Sequence, residues 1–157
     1  VADALLQRLA GEVGRLRLAL LPWVAAMIAK AAKGRGFRGA LEYDLREDKG
    51  HLIDSNMAGH RARELAAEFG EIRKLRPNLG KAVLHVSLAA APGEHLTDEQ
   101  WRQIGQLYLR GMGFKDNQFV ITRHTDTEHE HIHILANRIT YGGAVVSDGH
   151  DTDGRKP

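Results

Sequence analysis

The chain has 157 residues, 43% of them hydrophobic, which is the size of one domain and enough apolar content to bury a core. Its 22 basic and 20 acidic residues nearly balance at +2, so global charge does not by itself mark a nucleic-acid binder. With no cysteine, disulfide frameworks and thiolate metal or redox sites are excluded, leaving histidine and carboxylate as metal ligands.

Leu5, Leu6, Leu9, Val13, Leu16 and Leu20 recur at three- and four-residue spacing, predicting an amphipathic leader helix over residues 3 to 20, stopped by Pro22. Leu16 to Ala29 is apolar but shorter than the ~20 residues a membrane span needs, and it carries Arg17 and Pro22. Val24-Ala25-Ala26 imitates a signal-peptide cleavage site, yet Asp3 and Glu12 spoil the basic leader. The division expected is a leader over 1–26 and a folded domain over 27–157, cytoplasmic and without a membrane partner.

A short strand follows Met27, and then Gly34, Gly36 and Gly39 alternate with Arg35 and Arg38. Residues 38 to 45 read as helix. Arg61 to Leu75 forms a second helix, with Leu65, Phe69 and Ile72 on one face and Pro77 beyond its end. Lys81 to Ala89 alternates Val83, His85, Ser87 with Leu84, Val86, Leu88, the period of a half-buried strand. Thr97 with Gln100 is a capping box opening a helix through Trp101, Ile104, Leu107, Tyr108 and Met112 to Gly113. Phe119 to Arg123 and His131 to Ile139 are the last strands, joined by the loop Thr125 to Glu130. Strands mixed with helices over hairpins predict an α+β sandwich, an antiparallel sheet with helices packed on one face.

The segment from His124 to His133 holds four of the nine histidines. Residues two apart in a strand point the same way at ~6.6 Å spacing, so His131 and His133 form a clamp for one ion while Ile132 and Ile134 face the core. If Thr125 to Glu130 is the hairpin loop, His124 stands opposite His131 and completes a three-histidine site. His129 lies ~13 Å along an extended chain from His133, too far to share an ion with it at a ligand distance of ~2.1 Å, and belongs to the loop. Asp126 is the first candidate for the carboxylate that fixes a ligand histidine, ahead of Glu128. Three neutral imidazoles leave an ion its full charge and an open position, suited to polarising a phosphate or activating water.

Three tyrosines compete as protein nucleophile. Tyr108 shares a helix face with Trp101 and Ile104 and reads as core, and Tyr141 precedes Gly142-Gly143 in a turn. Tyr43 follows the basic, glycine-rich run containing Lys30, Lys33, Arg35 and Arg38, whose charges suit phosphates. The spacing leaves it open whether Tyr43 reacts or is an ordinary helix-face aromatic. Strand parity places His85 and Ser87 on the same face as His131 and His133.

Several segments together resemble the relaxase/mobilisation nuclease family of HUH endonucleases: Lys33-Gly-Arg-Gly-Phe-Arg-Gly-Ala-Leu-Glu-Tyr43, Asn56-Met-Ala-Gly59, His85-Val-Ser87-Leu, and Arg123-His-Thr-Asp-Thr-Glu-His-Glu-His-Ile-His133 with Asn137-Arg138. The resemblance covers residues 27 to about 140. It implies Tyr43 as the nucleophile and His124, His131 and His133 as ligands of a divalent ion, Mg or Mn first, with Zn, Ni or Co accepted in vitro. It also implies a bacterial enzyme that nicks one DNA strand at a plasmid transfer origin by transesterification, leaving a 5′-phosphotyrosyl adduct for conjugative mobilisation. A monomer is expected, working on single-stranded or melted DNA beside accessory mobilisation proteins. Residues 1 to 26 resemble nothing in the family, and the family's further domains are expected to be missing after the last strand. Two other functions fit the same residues: a metal-dependent hydrolase that activates water, and a DNA-binding module whose ion only stabilises the hairpin.

Overall fold

The structure is a computed structural model and describes residues 26–46 and 48–147. The expected leader helix therefore lies outside the described residues. Eight elements follow in order: β1 (Ile28–Gly34), α1 (Arg38–Asp44), β2 (Gly50–Ser55), α2 (Ala62–Arg73), β3 (Val83–Ala89), α3 (Asp98–Gly111), β4 (Asn117–His124) and β5 (His131–Thr140). All five strands pair antiparallel in one sheet ordered β1-β3-β5-β4-β2. The α+β class read from the sequence is the fold observed. β2 was not foreseen: its pairing with β4 shifts register between Leu52 and Asp54, and the bulge breaks the alternation that would betray a strand.

The helices occupy both faces, which corrects the expectation of one. Trp101, Ile104, Leu107 and Tyr108 of α3 pack on Leu84, Val86, Leu88, Ile121, Ile132 and Ile134. Leu41 of α1 with Leu65 and Phe69 of α2 packs on Val83, Val120, Leu135 and Ile139, which alternate with the first set and so face the other way. Phe37 stacks on Phe69 with ring centroids 4.2 Å apart. The reason lies in the strands: the face labelled polar by His85, Ser87, His131 and His133 turns apolar at Val83, Leu135 and Ile139, and that end must be covered.

The helix ends follow their sequence signals. Thr97 Oγ1 accepts from Gln100 N at 3.1 Å and Gln100 Oε1 accepts from Thr97 N at 2.9 Å, the reciprocal capping box. Glu68 accepts from the amides of Ala58 and Gly59, which ties the loop after β2 down to α2. On the α3 side, Glu130 accepts from Arg123 at 2.8 Å, from Leu96 N at 2.9 Å and from the indole of Trp101 at 3.4 Å. This half-buried carboxylate locks the base of the β4/β5 hairpin to the start of α3. Among the described residues no helix is long and apolar enough to cross a membrane.

Candidate metal centre and nucleophile

The ladder between β4 and β5 sets His124 directly across from His131 and Thr122 across from His133. The three imidazoles gather: ring centroids are 5.2 Å apart for His124 and His131, 4.1 Å for His124 and His133, and 5.1 Å for His131 and His133. One ring nitrogen from each lies within 4.8 Å of the others. Three nitrogens gathered within that span are a donor set that would hold one divalent ion after side-chain adjustment.

Each ring has one nitrogen held and the other available. His131 Nδ1 lies 3.0 Å from the His129 carbonyl, His124 Nε2 3.0 Å from the Asp44 carbonyl, and His133 Nδ1 3.0 Å from His85 Nε2. Bonds of this kind fix tautomer and ring orientation in metal sites. His129 thus serves through its backbone, from the loop where the spacing put it. Burial holds the imidazoles of His85 and His124 below their ordinary value, and burial together with the charge of its neighbours pushes His133 down to about 3. Neutral imidazole is the form that ligates.

A carboxylate that the sequence reading passed over closes the floor. Asp44, the last residue of α1, is 1% exposed. Its Oδ2 is 3.4 Å from His85 Nε2, while Oδ1 lies 3.9 Å from both His124 Nε2 and His133 Nδ1 and has no hydrogen-bond partner. Burial pushes its carboxyl up to about 7. Asp44, His85 and His133 make a second group compact enough to hold a cation, sharing His133 with the first. The only sequence signal for Asp44 is its place after Tyr43, one helical step of about 100° away, which sends one side chain out and the next inward.

Tyr43 is 46% exposed in the last turn of α1, with its ring 6.0 Å from that of His124. The other tyrosines fall where the spacing put them: Tyr108 is buried in the α3 core, and Tyr141 is exposed in the turn after β5. Lys49, also unforeseen, reaches the hydroxyl of Tyr43 at 3.4 Å and Asp126 Oδ2 at 3.3 Å, and its ammonium stands 4.7 Å from the Tyr43 ring centroid. Its hydrogen bonds to Tyr43 and then to Asp126 hold it above the ordinary lysine value, so it is a cation. Asp126 is 4.0 Å from His124 Nδ1, beyond a hydrogen bond, and its nearer partner is Lys49.

Gly50 faces His124 across the β2/β4 ladder. A Cβ there would lie 2.4 Å from the Arg123 carbonyl oxygen and 2.6 Å from the His124 ring, so only glycine leaves that imidazole its place.

The register also sorts the other candidates. Lys30, Ser87, His133 and Thr122 form one row across the sheet on one face, and His85 shares that face two residues from Ser87. Lys33 pairs with Leu84 and so belongs to the opposite face, whereas Arg35 is exposed in the turn after β1 and Arg38 pairs with Glu42 at 2.8 Å. Lys30 is therefore the one member of the basic run that the ladder aligns with the histidines.

A comparison with protein families matches residues 42–156 to the family described as Relaxase: MobA/VirD2-like, nuclease domain. No curated protein matches the chain.

Proposed function

Because the chain belongs to the family of MobA/VirD2-like relaxase nuclease domains, whose role is DNA nicking, we propose that it nicks one strand at a plasmid transfer origin through a covalent tyrosine adduct. The observation that carries the reading is the convergence of His124, His131 and His133 beside an exposed Tyr43. In this reading the three histidines hold a divalent ion, Mg or Mn, whose chemistry is to neutralise charge on a non-bridging phosphate oxygen. The tyrosine oxygen attacks phosphorus, the 3′ oxygen leaves, and a 5′-phosphotyrosyl linkage stores the ester for rejoining. The carbonyls of Asp44 and His129 and the ring of His85 keep the three imidazoles aimed, and Asp126 keeps Lys49 beside Tyr43.

Single-stranded DNA lies across the row of Lys30, Ser87 and His133, with His85, Arg35 and Arg38 bordering its path and Lys33 contributing to the field from the other face. The protein acts as a monomer in the bacterial cytoplasm, with accessory mobilisation proteins choosing the origin. The test is incubation with single-stranded oligonucleotides spanning candidate nick sites plus Mg²⁺ or Mn²⁺. A protein-linked 5′ fragment that disappears in Tyr43→Phe, while that variant still binds DNA, is the expected result. Cleavage without a linked fragment would assign the site to a water-activating hydrolase. Binding without any cleavage would leave a DNA-binding module.

A further inference from the structure

Lys49 is set by its backbone as well as its side chain. Its amide donates to the Arg46 carbonyl at 2.9 Å and its carbonyl accepts from Thr125 N at 2.9 Å, so the turn before β2 is tied to the loop that follows His124. The side chain is 21% exposed, and its ammonium is placed by two oxygens and one ring. An ordinary surface ion pair with Asp126 would need neither the hydroxyl nor the ring of Tyr43. Here the cation stands beside both the hydroxyl oxygen and the ring, placed to neutralise charge that develops on that oxygen during reaction.

The geometry points to Lys49 as a catalytic residue that stabilises the tyrosine oxygen as nucleophile in cleavage and as leaving group in rejoining. This rests on the reading of Tyr43 as the attacking group. In cleavage the bond from Tyr43 Oη to phosphorus forms and the bond from phosphorus to the 3′ oxygen breaks. The phenolic proton passes to solvent at the exposed mouth, and the 3′ oxygen takes one proton from solvent. Rejoining reverses each change. Lys49 stays protonated throughout, and Asp126 holds it in place by accepting its hydrogen bond.

The experiment uses the full chain and an oligonucleotide that the unmodified protein converts to a linked fragment. Single-turnover adduct formation at saturating DNA and Mn²⁺, and rejoining of the purified adduct to a strand with a free 3′-hydroxyl, are measured for Lys49→Ala, Lys49→Met and Lys49→Arg. Loss of a charged donor to a reacting oxygen slows such steps by about a hundredfold, and Lys49→Ala and Lys49→Met should slow both directions by that order. Lys49→Arg should recover part of the rate, and added methylammonium should recover part of that of Lys49→Ala. DNA affinity and metal binding should be unchanged, which also certifies folding. Rates within about twofold of the unmodified protein would overturn the assignment, given that an effect near a hundredfold is expected. So would a change in DNA affinity alone, or the slowing of only one direction. If the unmodified chain cleaves without any linked fragment, the tyrosine reading falls and the role of Lys49 with it.

Discussion

Replacing Gly50 by alanine tests the link between backbone and candidate metal centre with a single methyl group. The added carbon would meet the Arg123 carbonyl at 2.4 Å and the His124 ring at 2.6 Å, where ordinary contacts lie beyond 3.4 Å. Something must move by about an ångström, and overpacking of this kind costs about 1–3 kcal/mol. β2 is an edge strand, so part of the strain is relieved by sliding it, and part falls on the His124 ring. At roughly 2–4 °C per kcal/mol for a chain of this size, the melting temperature should fall by about 2–12 °C. Mn²⁺ affinity measured by calorimetry should fall with it, because His124 loses its alignment with His131 and His133. Gly70→Ala is the control: it lies inside α2 with nothing within 4 Å of its Cβ, and it should raise stability by about 0.5–1 kcal/mol without touching metal affinity. If Gly50→Ala melts with the unmodified protein and binds metal equally well, the claim that glycine makes room for His124 is wrong.

Other substitutions probe other links. Saturating metal at a hundredfold above its dissociation constant should stabilise the fold by about 2.7 kcal/mol, read as a rise in melting temperature that EDTA reverses and that His131→Ala abolishes; a rise persisting in that variant would move the ion elsewhere. Trp101 is wholly buried and donates to Glu130, so Trp101→Ala should cost about 3–5 kcal/mol by chemical denaturation, and a loss under 1 kcal/mol would mean that α3 is not anchored as described. Affinity for single-stranded DNA should fall as salt rises, and replacing Lys30 and Arg35 by alanine should flatten the logarithmic slope by about 1.4, two phosphate contacts at ~0.7 each. An unaltered slope would take the DNA off that edge of the sheet.

The triad of histidines was legible because its geometry is local. A strand alternates and a hairpin folds back, so the spacing of His124, His131 and His133 carries the site almost by itself. Tyr43 was legible only as one of three tyrosines, with Tyr108 and Tyr141 removed by their surroundings. Asp44 and Lys49 were not legible. Asp44 looks like any acid on a short helix until α1 is laid against β3, β4 and β5, and Lys49 looks like a turn lysine until the turn meets the β4/β5 loop. Both are products of contacts between segments far apart in sequence, and no period records those. The two-faced packing was half visible: Val83, Leu135 and Ile139 stand in the same alternating rows as the histidines, and weighting them equally would have called for a second helical layer.

The sheet order has a consequence for how the molecule comes into being. β5 is the last strand among the described residues, yet it is the middle one, and it alone joins the β1-β3 pair to the β4-β2 pair. During synthesis those two halves emerge first with no ladder between them. Only when the stretch from His131 to Thr140 slots in do His131 and His133 arrive beside His124, Asp44 and His85. Such long-range pairing closes late and slowly. A nascent chain halted before that strand would carry Tyr43 but not the gathered histidines, so on the proposed reading the reactivity toward DNA would wait for β5 to pair.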